Sequence, residues 1–111
     1  MSMKTLDLAE IRKKLDKLDE EIVSLFEERM KLTGDVAEFK IGAGKEVYDG
    51  EREKQKLEAV SAMAEDEFQK QAVKELFTQM MTISRRFQYK LMTERGLSLG
   101  NSFRAAESLP K

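Results

Sequence analysis

This chain of 111 residues is long enough for a single domain and too short for two independent hydrophobic cores. Its 20 Lys and Arg residues nearly balance its 21 Asp and Glu residues, and the net charge of −1 argues against a protein that binds nucleic acid through bulk positive charge. The sequence contains no Cys and no His. Disulfides, thiolate nucleophiles, Ser-His triads and zinc sites of the usual Cys/His type are therefore excluded.

The composition is typical of a helical protein. Charged residues make up 37% of the chain and hydrophobic residues 41%, and the single Pro lies at position 110. No segment approaches the run of about 18 apolar residues that a membrane span requires, and the first residues lack the apolar block of a signal peptide. We therefore expect a cytoplasmic protein that does not insert into membranes.

The first predicted element is one long helix over residues 6–41, a stretch without Pro in which apolar residues recur in steps of three and four. This seam consists of Leu8, Ile11, Leu15, Leu18, Ile22, Leu25, Leu32, Val36 and Phe39. Asp7 is placed to cap the helix, and Gly34 costs about 1 kcal/mol relative to Ala without breaking it. Such a helix is roughly 54 Å long, whereas a compact globule of this size is about 35 Å across. We therefore expect a homodimer in which a partner chain covers the seam.

Two shorter helices are predicted next. Gly42 and Gly44 end the long helix, and the second helix extends over residues 50–63 with Asp49 as its N-cap. Its inward stripe consists of Glu53, Leu57, Val60 and Ala64. The third helix extends over residues 67–93, after an acidic turn at 65–67. Its stripe consists of Val73, Leu76, Phe77, Met80, Met81, Ile83, Phe87 and Leu91.

These elements predict an all-α fold in which a long, a short and a medium helix form an intertwined homodimeric bundle. We expect residues 1–92 to form one helical domain. The helical periodicity stops after residue 93, and Gly, Ser and Asn are frequent beyond it. Residues 93–111 are therefore predicted to be a flexible tail or linker.

Arg29 interrupts the seam of the long helix at a position where Leu is expected. A buried guanidinium without a partner costs several kcal/mol, so Arg29 must face a carboxylate or a wet cavity. Lys40 lies 11 residues further on and only about 20° round the helix, so it shares this face. Arg29 either joins Lys40 in an anion-binding site, or it pairs with a buried acid or extends to the edge of the seam.

Polar residues also accompany the other two helices. Ser84 and Gln88 continue the apolar line of the third helix, either as ligand-binding groups or as its polar border. Asp49, Arg52 and Glu53 open the second helix. The N–H groups of that helix end, an Arg and a carboxylate suit an anionic, hydroxylated ligand, although a Glu at a helix start also simply complements the helix dipole.

Arg12 lies 17 residues before Arg29, about 100° round the long helix and roughly 25 Å away. The two guanidinium groups cannot meet within one chain. An antiparallel partner helix would bring Arg12 to the same site, and otherwise Arg12 is an ordinary surface residue.

Taken together, these positions resemble a known family. The segments that carry the resemblance are Ile11-Arg12, Leu18-Asp19-Glu20-Glu21-Ile22, Glu28-Arg29, Val36-Ala37-Glu38-Phe39-Lys40, Val47-Tyr48-Asp49-Gly50-Glu51-Arg52-Glu53 and Ser84-x-x-x-Gln88. In order and spacing they are similar to the all-helical class of chorismate mutase, over residues 6–92. The resemblance covers eight polar positions on three helices, which makes it more specific than a single short motif.

The resemblance implies both an assembly and a reaction. Members of this family are intertwined homodimers that convert chorismate to prephenate by an intramolecular Claisen rearrangement, in the shikimate-pathway branch that leads to phenylalanine and tyrosine. The reaction requires no nucleophile, metal or cofactor. We therefore expect an isomerase with a small-molecule substrate and no cofactor. In some relatives the mutase is joined to a prephenate dehydratase or dehydrogenase, and residues 93–111 resemble such a linker.

The resemblance also implies how the substrate carboxylates are bound. Arg29, together with Arg12 of the partner subunit, would hold the enolpyruvyl carboxylate of chorismate. Arg52 and Ser84 would hold the ring carboxylate.

The remaining positions are implied to serve the reacting bond and the ring hydroxyl. Lys40 and Gln88 would donate hydrogen bonds to the ether oxygen, on which negative charge develops as the C–O bond breaks. Glu53 and a backbone N–H near Asp49 would bind the ring hydroxyl. Lys40, Gln88 and Arg29 are thus the expected catalytic residues.

Two other functions fit the sequence less well. Isochorismate–pyruvate lyases share the fold and a similar cationic pocket, but the 42–49 loop and the Glu53 hydroxyl contact favour the mutase. A non-catalytic helical dimerisation or regulatory module is the alternative outside enzymes. Such a scaffold would place Leu or Ala where this chain has Arg29, Lys40, Arg52 and Gln88.

Overall fold

A computed structural model describes residues 6–96, and within that range the chain forms three α-helices. Helix α1 extends over Leu8–Ala43, α2 over Gly50–Ala62 and α3 over Glu67–Glu94. The described residues contain no strand, so the all-α prediction is confirmed, and the predicted helix ends are correct to within two residues. Residues 97–111 of the predicted tail lie outside the described residues.

Local side-chain chemistry determines where α1 begins and ends. The carboxylate of Asp7 accepts from the backbone N–H groups of Ala9 and Glu10 at 3.0 and 3.4 Å, as a capping residue does. At the other end Gly44 adopts a φ of +68°, a left-handed conformation that Gly reaches without steric cost. Two hydrogen bonds, from Gly44 N to Ile41 O and from Lys45 N to Lys40 O, complete a Schellman motif that stops the helix.

Helices α2 and α3 also begin at aspartates. Asp49 caps α2 by accepting from the backbone N–H of Arg52 at 3.1 Å, and Asp66 caps α3 by accepting from that of Gln69 at 2.8 Å. Both caps are where the acidic sequence pattern predicts helix starts. The two helices follow each other closely in the chain and pack against each other.

The described chain divides into two compact units, one up to Leu32 and one from Thr33 onward. The second unit contains a cluster of three buried residues, Val47, Tyr89 and Met92, against which Ile41 and Tyr48 pack. Elsewhere in that unit Val60 of α2 and Met81 of α3 are also buried. Leu76 was predicted to lie on the inward stripe of α3, but it is 58% exposed, so that part of the prediction is wrong. The buried line of α3 runs back from Met81 to Phe77, which lies four residues earlier and is half-buried. Leu76 is the neighbour of Phe77 and points away from this line.

The predicted seam of α1 is exposed along its whole length. The apolar side chains that are between 38% and 64% exposed are Leu8, Ile11, Leu15, Leu18, Ile22, Leu25, Leu32, Val36 and Phe39. Although Arg29 interrupts it, an exposed apolar stripe of this length is uncommon on the surface of a protein that functions as a monomer. Nothing within the described chain itself covers these side chains.

Candidate functional site

The turn before α2 places polar groups at the start of a helix. Asp49 caps α2, and its backbone carbonyl also accepts from the N–H of Glu53 at 3.1 Å. The Tyr48 ring lies against Gly50, where an added Cβ would be only 2.7 Å from the phenolic oxygen. Gly50 is therefore needed for close approach of this ring. The side chain of Arg52 is exposed on the first turn.

Lys40, near the end of α1, is connected to the same turn. Its half-buried Nζ donates to the backbone carbonyl of Val47 at 2.6 Å. Burial lowers the pKa of Lys40 from its usual 10.5, and Lys45 lowers it further, whereas Asp49 and Glu53 act in the opposite direction. The ammonium group thus lies close to two of the predicted site carboxylates, in a partly desolvated position.

Ser84 and Gln88 are both buried on α3, each only 7% exposed. Their side chains thus lie in the interior and not on the exposed surface of the helix. The Oε1 atom of Gln88 has no hydrogen-bond partner among the described residues. A buried amide with an unsatisfied atom costs about 1–3 kcal/mol, a cost that a bound ligand or water can remove.

Arg85 of α3 contacts α2 and the turn before it, and the sequence pattern did not predict a role for this residue. Its guanidinium forms an ion pair with Glu53 and lies over the Tyr48 ring, 5.3 Å from the centroid. Its spacing fits the line of Met81, Gln88 and Met92 along α3, at steps of four, three and four, but that spacing does not reveal the contacts with Glu53 and Tyr48. Glu53, expected to bind a hydroxyl, thus already has a cationic partner.

Arg12 and Arg29 lie in the first unit. Arg12 is exposed, and Arg29 is half-buried. The structure therefore brings together Lys40, Asp49 and Glu53 through the turn before α2, and it buries Ser84 and Gln88 on one face of α3.

A cavity of about 340 Å³ opens beside α2 and is lined by Tyr48, Gly50, Glu53, Lys54, Leu57, Glu58 and Lys74. Glu53 is the single predicted site residue in this lining. Lys40, Ser84 and Gln88 do not border it, so this cavity is not the predicted substrate site.

Residues 6–96 contain neither a candidate metal-binding cluster nor a membrane-spanning helix. No group of three or more acidic residues is arranged there to hold a metal ion. None of the three helices combines the length with the apolar character that a bilayer crossing demands.

Comparison with known proteins identifies the family. Residues 11–89 match the sequence profile of the family described as chorismate mutase type II. The chain belongs to the chorismate mutase type II family. The matched range begins just before Arg12 and ends just after Gln88, so it includes every predicted site residue of the chain.

A curated relative supports this membership of the chorismate mutase type II family. The chain is 53% identical over 47 residues to a chorismate mutase of Methanocaldococcus jannaschii. The aligned segment is 42% of this chain and 48% of the relative. The chain therefore spans about half the length of the curated relative that it matches.

Proposed function

We propose that this protein is a chorismate mutase, an isomerase that rearranges chorismate to prephenate. In this reaction a C–C bond forms as the ether C–O bond breaks, and no group leaves the molecule. The enzyme's task is to hold the folded conformer of a dianion and to stabilise the charge that develops on the ether oxygen. The match of residues 11–89 to the chorismate mutase type II family is the observation that carries this proposal, and the burial of Gln88, whose amide N–H₂ can donate to a ligand, is consistent with it.

Lys40 and Gln88 are proposed as the donors to the ether oxygen. Both side chains lie in the second unit, Lys40 half-buried and Gln88 buried, so both act where water screens charge weakly. Lys40 has three N–H donors, and the hydrogen bond to Val47 uses one of them. Two donors remain for a ligand, and the Val47 contact fixes the direction in which they point.

The carboxylates of chorismate are proposed to bind to arginines. Arg52 is exposed on the first turn of α2, where the N-terminal end of the helix also favours an anion, and Ser84 is proposed to assist it. Arg29 is proposed to hold the other carboxylate together with Arg12 of the partner subunit. Glu53 and a backbone N–H near Asp49 are proposed to bind the ring hydroxyl.

A homodimer is part of the proposal. The apolar seam of α1 is exposed from Leu8 to Phe39, and a second copy of this chain would remove it from water. In this proposal Arg12 comes from the second chain, because it lies about 25 Å from Arg29 along a single helix. The cytoplasmic location expected from the sequence stays a prediction.

The direct test is the loss of chorismate absorbance on addition of purified protein, with the products separated by chromatography. We expect prephenate from the parent protein and its loss in Arg29→Ala. Arg86→Ala is the matched control, because Arg86 is an exposed arginine of α3 with no proposed role, and this variant should keep its activity.

Other outcomes would redirect the proposal. Release of pyruvate from isochorismate, without turnover of chorismate, would indicate a lyase of the same fold. Inactivity towards both substrates would leave a helical dimerisation or regulatory module. A scaffold of that kind should not melt at a higher temperature when a chorismate-like dicarboxylate is added, whereas a mutase should.

A further inference from the structure

Arg85 is a largely buried cation of α3 to which the proposed chemistry gives no role. Its side chain is 11% exposed, and its Nη1 group donates to Oε1 of Glu53 on α2. Its Nη2 group is 3.5 Å from Thr82 Oγ1, and its guanidinium lies over the ring of Tyr48. Contacts with α2, with α3 and with the turn before α2 therefore hold this guanidinium in one place.

Glu53 is held in turn by Arg85. The Glu53 side chain is 23% exposed and lies in the capped first turn of α2. A partly buried carboxylate that contacts a guanidinium loses rotamer freedom, and charge-assisted contacts of this kind are directional. A carboxylate has roughly four lone-pair sites, so the contact at Oε1 leaves acceptor positions for a hydroxyl donor.

We propose that Arg85 is a positioning residue, which holds the Glu53 carboxylate in the orientation that accepts the ring hydroxyl of the substrate. This inference rests on the proposed function, because it is as a chorismate mutase that the protein uses Glu53 for that hydroxyl. Arg85 acts through Glu53 and does not contact the substrate. Tyr48, packed against Gly50, supports the face of the guanidinium and so stabilises the arrangement from the other side.

Several other charged groups face Glu53. From α1, Lys40 interacts with the Glu53 charge, which raises the pKa of Lys40 against the effect of burial. From α3, the pKa of Tyr89 is raised by burial and by Glu53, and Arg85 lowers it. The residues that share the cavity lining with Glu53 and carry charge are Lys54, Glu58 and Lys74. Arg85 is the cation in direct ion-pair contact with Glu53, so its removal should change the Glu53 carboxyl most.

The first test compares the steady-state kinetics of Arg85→Met with those of Arg86→Met on chorismate. Arg86 is the adjacent, exposed residue of the same helix, so both variants remove the same charge, but Arg85→Met also removes the contacts with Glu53, Tyr48 and Thr82. A hydroxyl contact is present in both the bound substrate and the transition state, so its loss should raise KM about tenfold and change kcat by less than about threefold. Arg85→Lys keeps a cation, so its KM should lie between those of the parent and of Arg85→Met. This variant also provides a test if Arg85→Met does not fold.

A double variant tests whether Arg85 acts through Glu53. In a Glu53→Gln background, Arg85→Met should change KM no further, because the group that it positions is already absent. Independent, additive effects on KM would overturn the proposal.

A third measurement needs no substrate. Carboxyl ¹³C NMR at neutral pH, with Glu53→Gln to assign the signal, should show the Glu53 resonance at a different chemical shift in Arg85→Met than in Arg86→Met, because Arg85→Met removes the ion pair with this carboxylate. An unchanged chemical shift, or a KM equal to that of Arg86→Met, would overturn the inference while the parent still makes prephenate. A changed chemical shift together with a parent protein that does not convert chorismate would instead refute the proposed function, and with it the role assigned to the hydroxyl.

Discussion

The ammonium group of Lys40 donates to the backbone carbonyl of Val47 across the turn between α1 and α2. Val47 is itself buried against Tyr89 and Met92, so the acceptor is part of the packed core of the second unit. The proposed catalytic lysine is thus oriented by a rigid carbonyl and not by a flexible side chain. A fixed donor of this kind does not have to reorganise when charge develops on a ligand.

The first prediction concerns the alkaline limit of activity. Burial lowers the pKa of Lys40 below 10.5, and the lysine donates only while it is protonated. We therefore expect kcat to decrease as the pH rises, and this decrease should begin at a lower pH than for a lysine with the usual pKa of 10.5. Lys40→Arg should be slower but should lack this decline, because Arg stays protonated to a pH of about 12. An alkaline limb that persists unchanged in Lys40→Arg would assign the titration to another group.

The same shift predicts a pH dependence of stability. Between the lowered pKa of Lys40 and 10.5, the unfolded chain binds more protons at this site than the folded chain does. The Lys40 contribution to the free energy of unfolding therefore rises with pH in that window. Tyr89 has the opposite sign, because its raised pKa makes the folded state lose stability as pH rises above 10.0. Denaturant titrations of the parent and of Lys40→Met, compared at each pH, isolate the lysine.

The second prediction concerns the buried amide on α3. Gln88 donates at any pH, whereas a Glu at that position donates only when it is protonated. Gln88→Glu should therefore lose activity by a factor on the order of 10²–10³ at neutral pH and regain part of it in acid. The pH profile of kcat/KM measures this. A variant with the parent's rate and profile would remove Gln88 from the mechanism.

The third prediction concerns the contact between Tyr48 and Gly50. A Cβ at position 50 would be 2.7 Å from the Tyr48 hydroxyl and 3.1 Å from its ring carbon, so Gly50→Ala must displace the ring. We expect a lower melting temperature, and a smaller loss in a Tyr48→Phe background, where the closest atom is absent.

Gly42→Ala is the control for this contact. Gly42 lies in the last turn of α1, and an added Cβ there meets nothing within 4 Å. This substitution should stabilise the protein by about 0.5–1 kcal/mol, because Ala has less chain entropy to lose on folding. Equal melting temperatures for the variants at positions 42 and 50 would contradict the importance of the Tyr48 contact.

The fourth prediction concerns the assembly. Leu18 lies in the exposed seam of α1 and is 53% exposed. Leu18→Asp would bury a charge in the proposed interface, which should convert a dimer into a monomer in sedimentation experiments and abolish activity. Lys17→Asp, at the adjacent exposed position, should remain dimeric. A parent protein that is active as a monomer would refute the need for Arg12 of the partner subunit.

The fold was largely predictable because its signals are local. Asp7, Asp49 and Asp66 cap the helices that follow them, and Gly44 ends α1 with a positive φ. Each of these interactions joins residues no more than five positions apart. The periodicity of the three helices is likewise visible within a window of about 11–18 residues.

The candidate site was predictable in part. The residue types and their order indicated the family, which the comparison confirms, while the roles of the individual residues stay predictions. Arg85 was missed because its importance arises from Glu53, 32 positions away, and from the stacking of Tyr48, neither of which local spacing reveals. The burial of Ser84 and Gln88 likewise depends on tertiary packing. A Ser or Gln beside an apolar stripe can equally well be exposed to solvent, so the sequence alone does not predict its burial.

The small size of the core has a consequence for handling this protein. Among the described residues, no large side chain is fully buried, while the seam from Leu8 to Phe39 presents a long apolar surface. If a second copy covers that surface, folding and association become a single equilibrium. Dilution then favours the unfolded chain, and the melting temperature should fall as the protein concentration is lowered.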